Sequence, residues 1–235
     1  MKKGKRLYIN ITNRCNTNCP FCCMYSGTNN NKDMNFEIYK KIIDDCTTDF
    51  ELQLEGGEPL LHPNLYLFME YAISKVSCKK IIILTNGILL GDELRRLADF
   101  STYHHIEVEL KISINYWLIQ EYQDHTDRIK RYIFDIKYIP TMKITCNVRL
   151  RKEDGLLRKK IEEDRLLNEH SNIFYLQSYG RLNASEKYEK PVIVQNIEEW
   201  SVYAVDGTDF KTDLIGRSEY EHMLQMEAEN EHNQI

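Results

Sequence analysis

Along the first 180 residues of this 235-residue chain, short β-branched runs alternate with longer stretches of helical periodicity. Strands are expected at 6–12, 51–57, 80–86, 106–115, 142–150 and 172–179. Helices are expected at about 35–46, 64–76, 92–100, 118–137 and 154–168. In the first helix Phe36, Tyr39, Ile42 and Ile43 repeat at the i, i+3, i+4 spacing of an amphipathic face. Six β-α units in series imply a parallel sheet with its helices outside.

The strands carry a second signal. A parallel strand covered on both faces reads as a continuous apolar run. Here Glu107, Glu109, Lys111, Ser113 and Asn115 share one face, and Val108, Leu110, Ile112 and Ile114 share the other. Lys143, Thr145, Asn147, Arg149 and Arg151 repeat the pattern, as do Glu51, Gln53 and Glu55. A curled sheet would aim these groups into a lumen and leave the apolar face to one outer layer of helices. A closed eight-stranded barrel fills its lumen with packed side chains. Six strands with a polar interior therefore point to α/β architecture in an open, partial TIM-like barrel with room for a ligand. Glu107, Lys143 and Glu51 have a second reading, as charges that pair with each other near the barrel floor. Ser113, Asn115 and Arg149 lie nearer the C-terminal strand ends, where active sites of this class gather.

From Arg181 the rhythm stops. "LNASEKYEKP" reads as a linker, and "VIVQN" and "WSVYAV" read as strands, the second followed by an Asp206-Gly207 turn. A short helix after Ser218 and a frayed tail, "MEAENEHNQI", complete the chain. The expected division is a core over 1–180 and a C-terminal extension over 181–235. A net charge of −5, from 31 basic and 36 acidic residues, argues against a nucleic-acid partner. No apolar run is long enough to span a membrane, and "LYINIT" is too short and polar for a signal-peptide core. A cytoplasmic location follows as the expectation, and there clustered thiols mean metal binding or catalysis more than disulfides.

Four of the seven cysteines, Cys15, Cys19, Cys22 and Cys23, fall within nine residues after the first strand. Three of them keep the spacing C-x3-C-x2-C. Structural zinc wants four closed ligands, and no second knuckle or His pair follows. An iron–sulfur cube usually takes four cysteines, so three would leave one iron open to a reactant. Spacing alone leaves both metals open. Cys46 and Cys146 read as small buried hydrophobes. Gly56-Gly57-Glu58-Pro59 directly follows the second strand, where glycines let a ligand approach the backbone closely. Thr85-Asn86-Gly87 ends the third. Each is an ordinary turn signal by itself; with the cysteines, they mark the same edge of three successive strands.

The C-x3-C-x2-C spacing, with Phe21 just before the third cysteine and GGEP after strand two, resembles the radical S-adenosylmethionine (SAM) superfamily over roughly residues 6–180. The resemblance implies a (β/α)6 partial barrel and a [4Fe–4S] cluster on Cys15, Cys19 and Cys22, with SAM chelating the open iron. It implies that Gly56, Gly57, Glu58 and Pro59 receive the SAM ammonium group and that Phe21 lies near the adenine. Asn86 joins the cofactor-binding positions, Ser113 and Asn115 match contacts to ribose or carboxylate, and Arg149 is a candidate for the carboxylate. Gly180-Arg181 resembles the "GR" that closes the barrel in many peptide-modifying members. The implied reaction is reductive cleavage of SAM to methionine and a 5′-deoxyadenosyl radical, which abstracts a substrate hydrogen. Its electron would come from a donor such as flavodoxin or ferredoxin. Cys23, outside the pattern, is a spare buried thiol or a hydrogen-atom donor. No cysteine follows Cys146, so auxiliary clusters of the kind some members carry are not expected. "YINITNRCNTNCPFC" and "LQLEGGEPLLHPN" are closest in style to enzymes that crosslink or epimerise ribosomally made peptides. The alternatives within the superfamily are a glycyl-radical enzyme activase and a small-molecule enzyme acting on a nucleoside precursor. A non-catalytic zinc module is the alternative outside it, and GGEP disfavours it.

Overall fold

A computed structural model describes residues 5–183, 185, 187–190 and 200–232. The chain forms two compact units: 1–79 together with 177–235, and 80–176. The expected division at 180/181 therefore falls inside the first unit rather than between the two. The expected strand "VIVQN" lies outside the described residues.

The first unit carries strands β1 (Lys5–Thr12), β2 (Phe50–Gly56) and β7 (Trp200–Tyr203), with helices α1 (Phe36–Asp44), α2 (Leu65–Ile73) and α8 (Leu214–His232). β1 is central and pairs in parallel with β2 on one side and β7 on the other, Ile9 facing Leu54 and Tyr203. Leu7, Ile9 and Ile11 alternate along β1 and are fully buried, as are Leu52 and Leu54 of β2. Asn35 starts α1 by accepting the Glu37 N–H at its Oδ1. Tyr39 ties α1 to α2: its ring stacks on Phe68 and its hydroxyl donates to the Phe68 carbonyl at 2.9 Å. The Asp206-Gly207 turn forms after β7, with Gly207 at φ 89° and the Thr208 N–H donating to Asp206 Oδ1. α8 starts four residues before Ser218 and runs 19 residues, through most of the tail expected to fray. Four of its polar residues, Arg217, Ser218, Glu221 and Gln225, are buried, all ahead of that tail.

The second unit carries β3 (Cys78–Thr85, entering from the first unit), β4 (Glu107–Asn115), β5 (Met142–Leu150) and β6 (Ser171–Tyr175). Its helices are α3 (Leu90–His104), α4 (Tyr116–Glu121), α5 (His125–Ile136), α6 (Gly155–Glu163) and α7 (Arg165–His170). The strands pair in parallel in chain order. Val108, Leu110, Ile112 and Ile114 form the buried apolar face of β4. On its polar face Lys80 pairs with both Glu107 and Glu109 at 2.6 Å, and Thr145 donates to Glu109 at 2.7 Å. Glu107 thus takes the pairing reading, and so does Glu51 of β2, which pairs with Arg6.

Two expected helices are each divided. The 118–137 segment breaks at Tyr122, at φ −130° and ψ 88°, and restarts as α5. The 154–168 segment breaks at Asp164, whose carboxylate accepts the Leu167 N–H and so caps α7. An internal Asp offers the backbone this alternative, and apolar periodicity does not register it. The fold is α/β throughout, its parallel strands in an open arrangement.

Candidate functional site

The cysteines occupy the loop between β1 and α1, and its neck is tied on both sides. Thr12 Oγ1 donates to Asp33 Oδ1 at 2.5 Å, and Arg14 pairs with Asp33 at 3.2 Å. The Lys32 N–H donates to Asn13 Oδ1, and the Cys15 N–H to the Gly27 carbonyl. Inside the loop Thr17 Oγ1 lies 3.3 Å from Cys15 Sγ and 3.6 Å from Cys19 Sγ. The Cys22 N–H donates to the Cys19 carbonyl at 3.2 Å. All four loop cysteines are free thiols of intermediate burial.

Burial pushes the Cys19 thiol up, and burial with the neighbouring Cys23 pushes Cys22 up to about 12. Without a cation, this loop favours the protonated thiol; bound iron would take the proton's place. Among the described residues, no three His, Cys, Asp or Glu side chains are gathered as a single metal ion would need. In an iron–sulfur cluster each thiolate ligates its own iron, and three reduced thiols on one loop fit that donor set. Cys146 is buried, as expected. Cys46 is only half-buried, because it follows α1 at a surface turn where its Sγ lies 3.7 Å from the Thr48 carbonyl.

The GGEP segment is fixed to the approach of the same loop. The Gly57 N–H donates to the Thr12 carbonyl at 2.7 Å and the Glu58 N–H to the Arg14 carbonyl at 2.8 Å. A Cβ on Gly57 would lie 2.1 Å from the Arg14 oxygen, so only glycine permits this approach. Gly56 sits at φ 137°, where a side chain is strained as well. Glu58 is fully buried and accepts the Leu60 N–H, capping a 3-10 turn that Pro59 opens. The first unit thus carries the loop with Cys15, Cys19, Phe21 and Cys22 and ties the start of that loop, at Thr12 and Arg14, to Gly57 and Glu58.

In the second unit each candidate lies at a C-terminal strand end. Asn86 follows β3, and its Oδ1 accepts the Ile88 N–H at 3.0 Å. Ser113 and Asn115 end β4, with Asn115 opposite Arg149 of β5 in the pairing register. Asn115 Oδ1 is occupied by the Leu118 N–H, capping α4. The Ser113 carbonyl accepts from His125 Nε2 at 2.9 Å, and the Arg149 guanidinium lies over the Phe174 ring at 5.5 Å. A cavity of about 630 Å³ opens elsewhere, at the N-terminal ends of β5 and β6, lined by Ile133, Lys137, Met142, Lys143 and Asn172 among others. Parallel α/β folds keep their chemistry at the other strand ends, so the candidate site does not include it.

A buried polar cluster inside the first unit was not read from the sequence. Arg217 of α8 lies 2.7 Å from Glu55 Oε1, and Glu221, four residues on, accepts from Asn10 Nδ2 and the Val205 N–H. Burial raises the Glu221 carboxyl above its ordinary range. Asn10 Oδ1, Glu221 Oε2 and Arg217 Nε have no hydrogen-bond partner. Its strand side was legible in the polar face that includes Glu55; its helix side shows only as the i, i+4 pair Arg217 and Glu221, a pattern that ordinarily marks a solvated face.

Residues 9–132 match the family model of the radical SAM superfamily. GTP 3′,8-cyclase of Clostridium perfringens is 28% identical over 98 residues, 40% of this chain and 30% of that protein. The antilisterial bacteriocin subtilosin biosynthesis protein AlbA of Bacillus subtilis is 34% identical over 85 residues, 35% of this chain and 18% of its own length. The matched stretches span 38% or less of these and the other foremost curated relatives. Streptococcus suis SuiB, crystallised with its precursor peptide SuiA, shares the fold at a TM-score of 0.56 and 14% identity, covering 82% of this chain and 43% of that one. No helix among the described residues is long and apolar enough to cross a membrane.

Proposed function

The chain belongs to the radical SAM superfamily, and from that premise we propose that it is an enzyme acting on a ribosomally synthesised peptide. The family implies SAM and an iron–sulfur cluster. The observation that carries the reading is the three free thiols of the loop after β1, anchored beside the GGEP backbone. Together, the cluster and SAM supply one-electron reductive cleavage of SAM and, from it, hydrogen-atom abstraction.

The chain's own residues hold and orient. Cys15, Cys19 and Cys22 are the proposed ligands of a [4Fe–4S] centre, with Cys23 outside the ligand set. The backbone of Gly56, Gly57, Glu58 and Pro59 is proposed to receive the SAM ammonium, with the Glu58 and Pro59 carbonyls also accepting the Leu61 and His62 N–H groups. Phe21 is the proposed neighbour of the adenine. Asn86, Ser113, Asn115 and Arg149 are proposed toward the ribose and carboxylate, Asn115 through its amide nitrogen because its oxygen caps α4. Such contacts fix the orientation of the reactant, where much of the catalytic gain lies. The electron is proposed to come from a small redox protein of the flavodoxin or ferredoxin kind, and the location to be cytoplasmic.

The likeness to AlbA, together with the fold shared with SuiB, supports a peptide substrate. The likeness to GTP 3′,8-cyclase favours a second reading, a nucleotide substrate. The test is anaerobic. Reconstituted and reduced with dithionite, the enzyme is expected to release 5′-deoxyadenosine from SAM, faster with a ribosomal precursor peptide such as SuiA than with GTP. Stimulation by GTP alone would favour the second reading, and no 5′-deoxyadenosine under any condition would reject both.

A further inference from the structure

The loop that carries Cys15, Cys19 and Cys22 is held from outside itself, by residues more than 150 positions further along the chain. Arg181 Nη1 donates to the Cys19 carbonyl at 2.7 Å, and Nη2 donates to the Tyr25 and Ser26 carbonyls at 3.0 and 3.1 Å. The Arg181 N–H donates to the Cys22 carbonyl at 3.2 Å. This approach requires the glycine before it: Gly180 sits at φ 63°, and a Cβ there would lie 2.4 Å from the Cys23 Cα. α8 adds three contacts from one face. Ser218 Oγ donates to the Cys23 carbonyl, Gln225 Nε2 donates to the Met24 carbonyl at 2.9 Å, and His222 stacks on Tyr25 with centroids 4.0 Å apart. Positions 218, 222 and 225 share a helix face. The carbonyls of Cys19, Cys22, Cys23, Met24, Tyr25 and Ser26 are therefore all engaged by donors from residues 181–225.

We propose that Arg181 is a positioning residue for the iron–sulfur centre, fixing the loop carbonyls by its guanidinium and favouring the reduced centre by its charge, while Ser218 and Gln225 lock the adjoining turn. The proposal rests on the reading that the three loop cysteines ligate that centre. Two physical arguments carry it. Groups around the ligands orient them and tune a metal's potential. A fixed cation beside a centre that gains one electron stabilises the more negative, reduced state. Arginine suits the task because its planar fork reaches several oxygens at once and cannot lose its charge, whereas lysine offers a point charge on a flexible stem. On this account the C-terminal extension is part of the cluster site.

The test uses the full chain, reconstituted anaerobically and titrated with dithionite while the reduced cluster is followed by electron paramagnetic resonance. Arg181→Gln is expected to shift the potential to a more negative value, and Arg181→Lys to recover most of that shift. Ser218→Ala with Gln225→Ala, which keeps the Arg181 charge, should shift the potential less than Arg181→Gln does. In the metal-free chain, hydrogen exchange across residues 15–27 should speed up in Arg181→Gln and in Arg181→Lys alike, because lysine cannot span the three carbonyls. An iron-replete Arg181→Gln protein with the wild-type potential overturns the proposal. If that variant assembles no cluster, unchanged exchange in its loop overturns it instead. A wild-type chain that takes up no iron rejects the cluster reading itself, a result distinct from either.

Discussion

The two units show two ways of satisfying a polar strand face, and the first, where Arg6 of β1 also pairs with Glu51 of β2, uses both. In the second, polar groups on β3, β4 and β5 satisfy one another across neighbouring strands, as Lys80, Glu109 and Thr145 do. In the first, Asn10 of β1 and Glu55 of β2 are met by Glu221 and Arg217, which arrive on a helix from the far end of the chain. Cross-strand pairing is local, and the register dictates it. The α8 pairs are not local, and they draw the extension into the unit that carries the cysteine loop. A polar strand face thus has two outcomes, self-pairing or capture by a distant element, and only the first leaves its partners close in the sheet.

The largest expected effect contrasts the two outcomes directly. Arg217→Ala leaves the Glu55 carboxylate buried without its cation, and it should cost about 3–5 kcal/mol in denaturant unfolding. Lys80→Ala should cost less, about 1–3 kcal/mol, because Glu107 is about half exposed and Glu109 keeps Thr145. Equal costs would erase the distinction between the two outcomes.

Next in size is Asn115→Ala, which removes the cap of α4. About 1 kcal/mol of stability should be lost, measured by the same unfolding curve. If the amide nitrogen serves SAM, the apparent Kd for SAM should rise in the variant. Asn115→Asp, which retains the capping oxygen, should then restore stability without restoring affinity; recovery of both would remove Asn115 from the cofactor site.

The smallest effect is a pH dependence shared by both units. Burial lowers the pKa of His62 in the first and His125 in the second below the ordinary 6.5. As pH falls below that value the unfolded chain takes up these protons before the folded one does. Stability should therefore be full above about pH 6.5 and decline as pH falls toward the folded-state values. His125→Gln should flatten part of the slope in thermal melts, and an unchanged slope would place its origin elsewhere.

Much of the architecture was legible because it is periodic. The alternation of apolar residues in β4 and β5 located both strands to within a residue. The cysteine and GGEP motifs were legible because their residue types are chemically restricted. Four features escaped for physical reasons. Tyr122 and Asp164 end helices through local backbone choices that an apolar stripe does not record. α8 hides its buried role behind a sequence rich in charge. Arg181 was visible as half of a motif, but its three carbonyl acceptors belong to a loop some 155 residues away or more, and no spacing rule connects the two.

The four thiols of one loop remain the point on which the account turns, and iron stoichiometry separates them. Anaerobic reconstitution of the full chain should give about four irons per chain, retained in Cys23→Ala and lost in each of Cys15→Ala, Cys19→Ala and Cys22→Ala. Stoichiometric zinc in place of iron, or a cluster that survives loss of Cys15, Cys19 or Cys22 but not of Cys23, would contradict it.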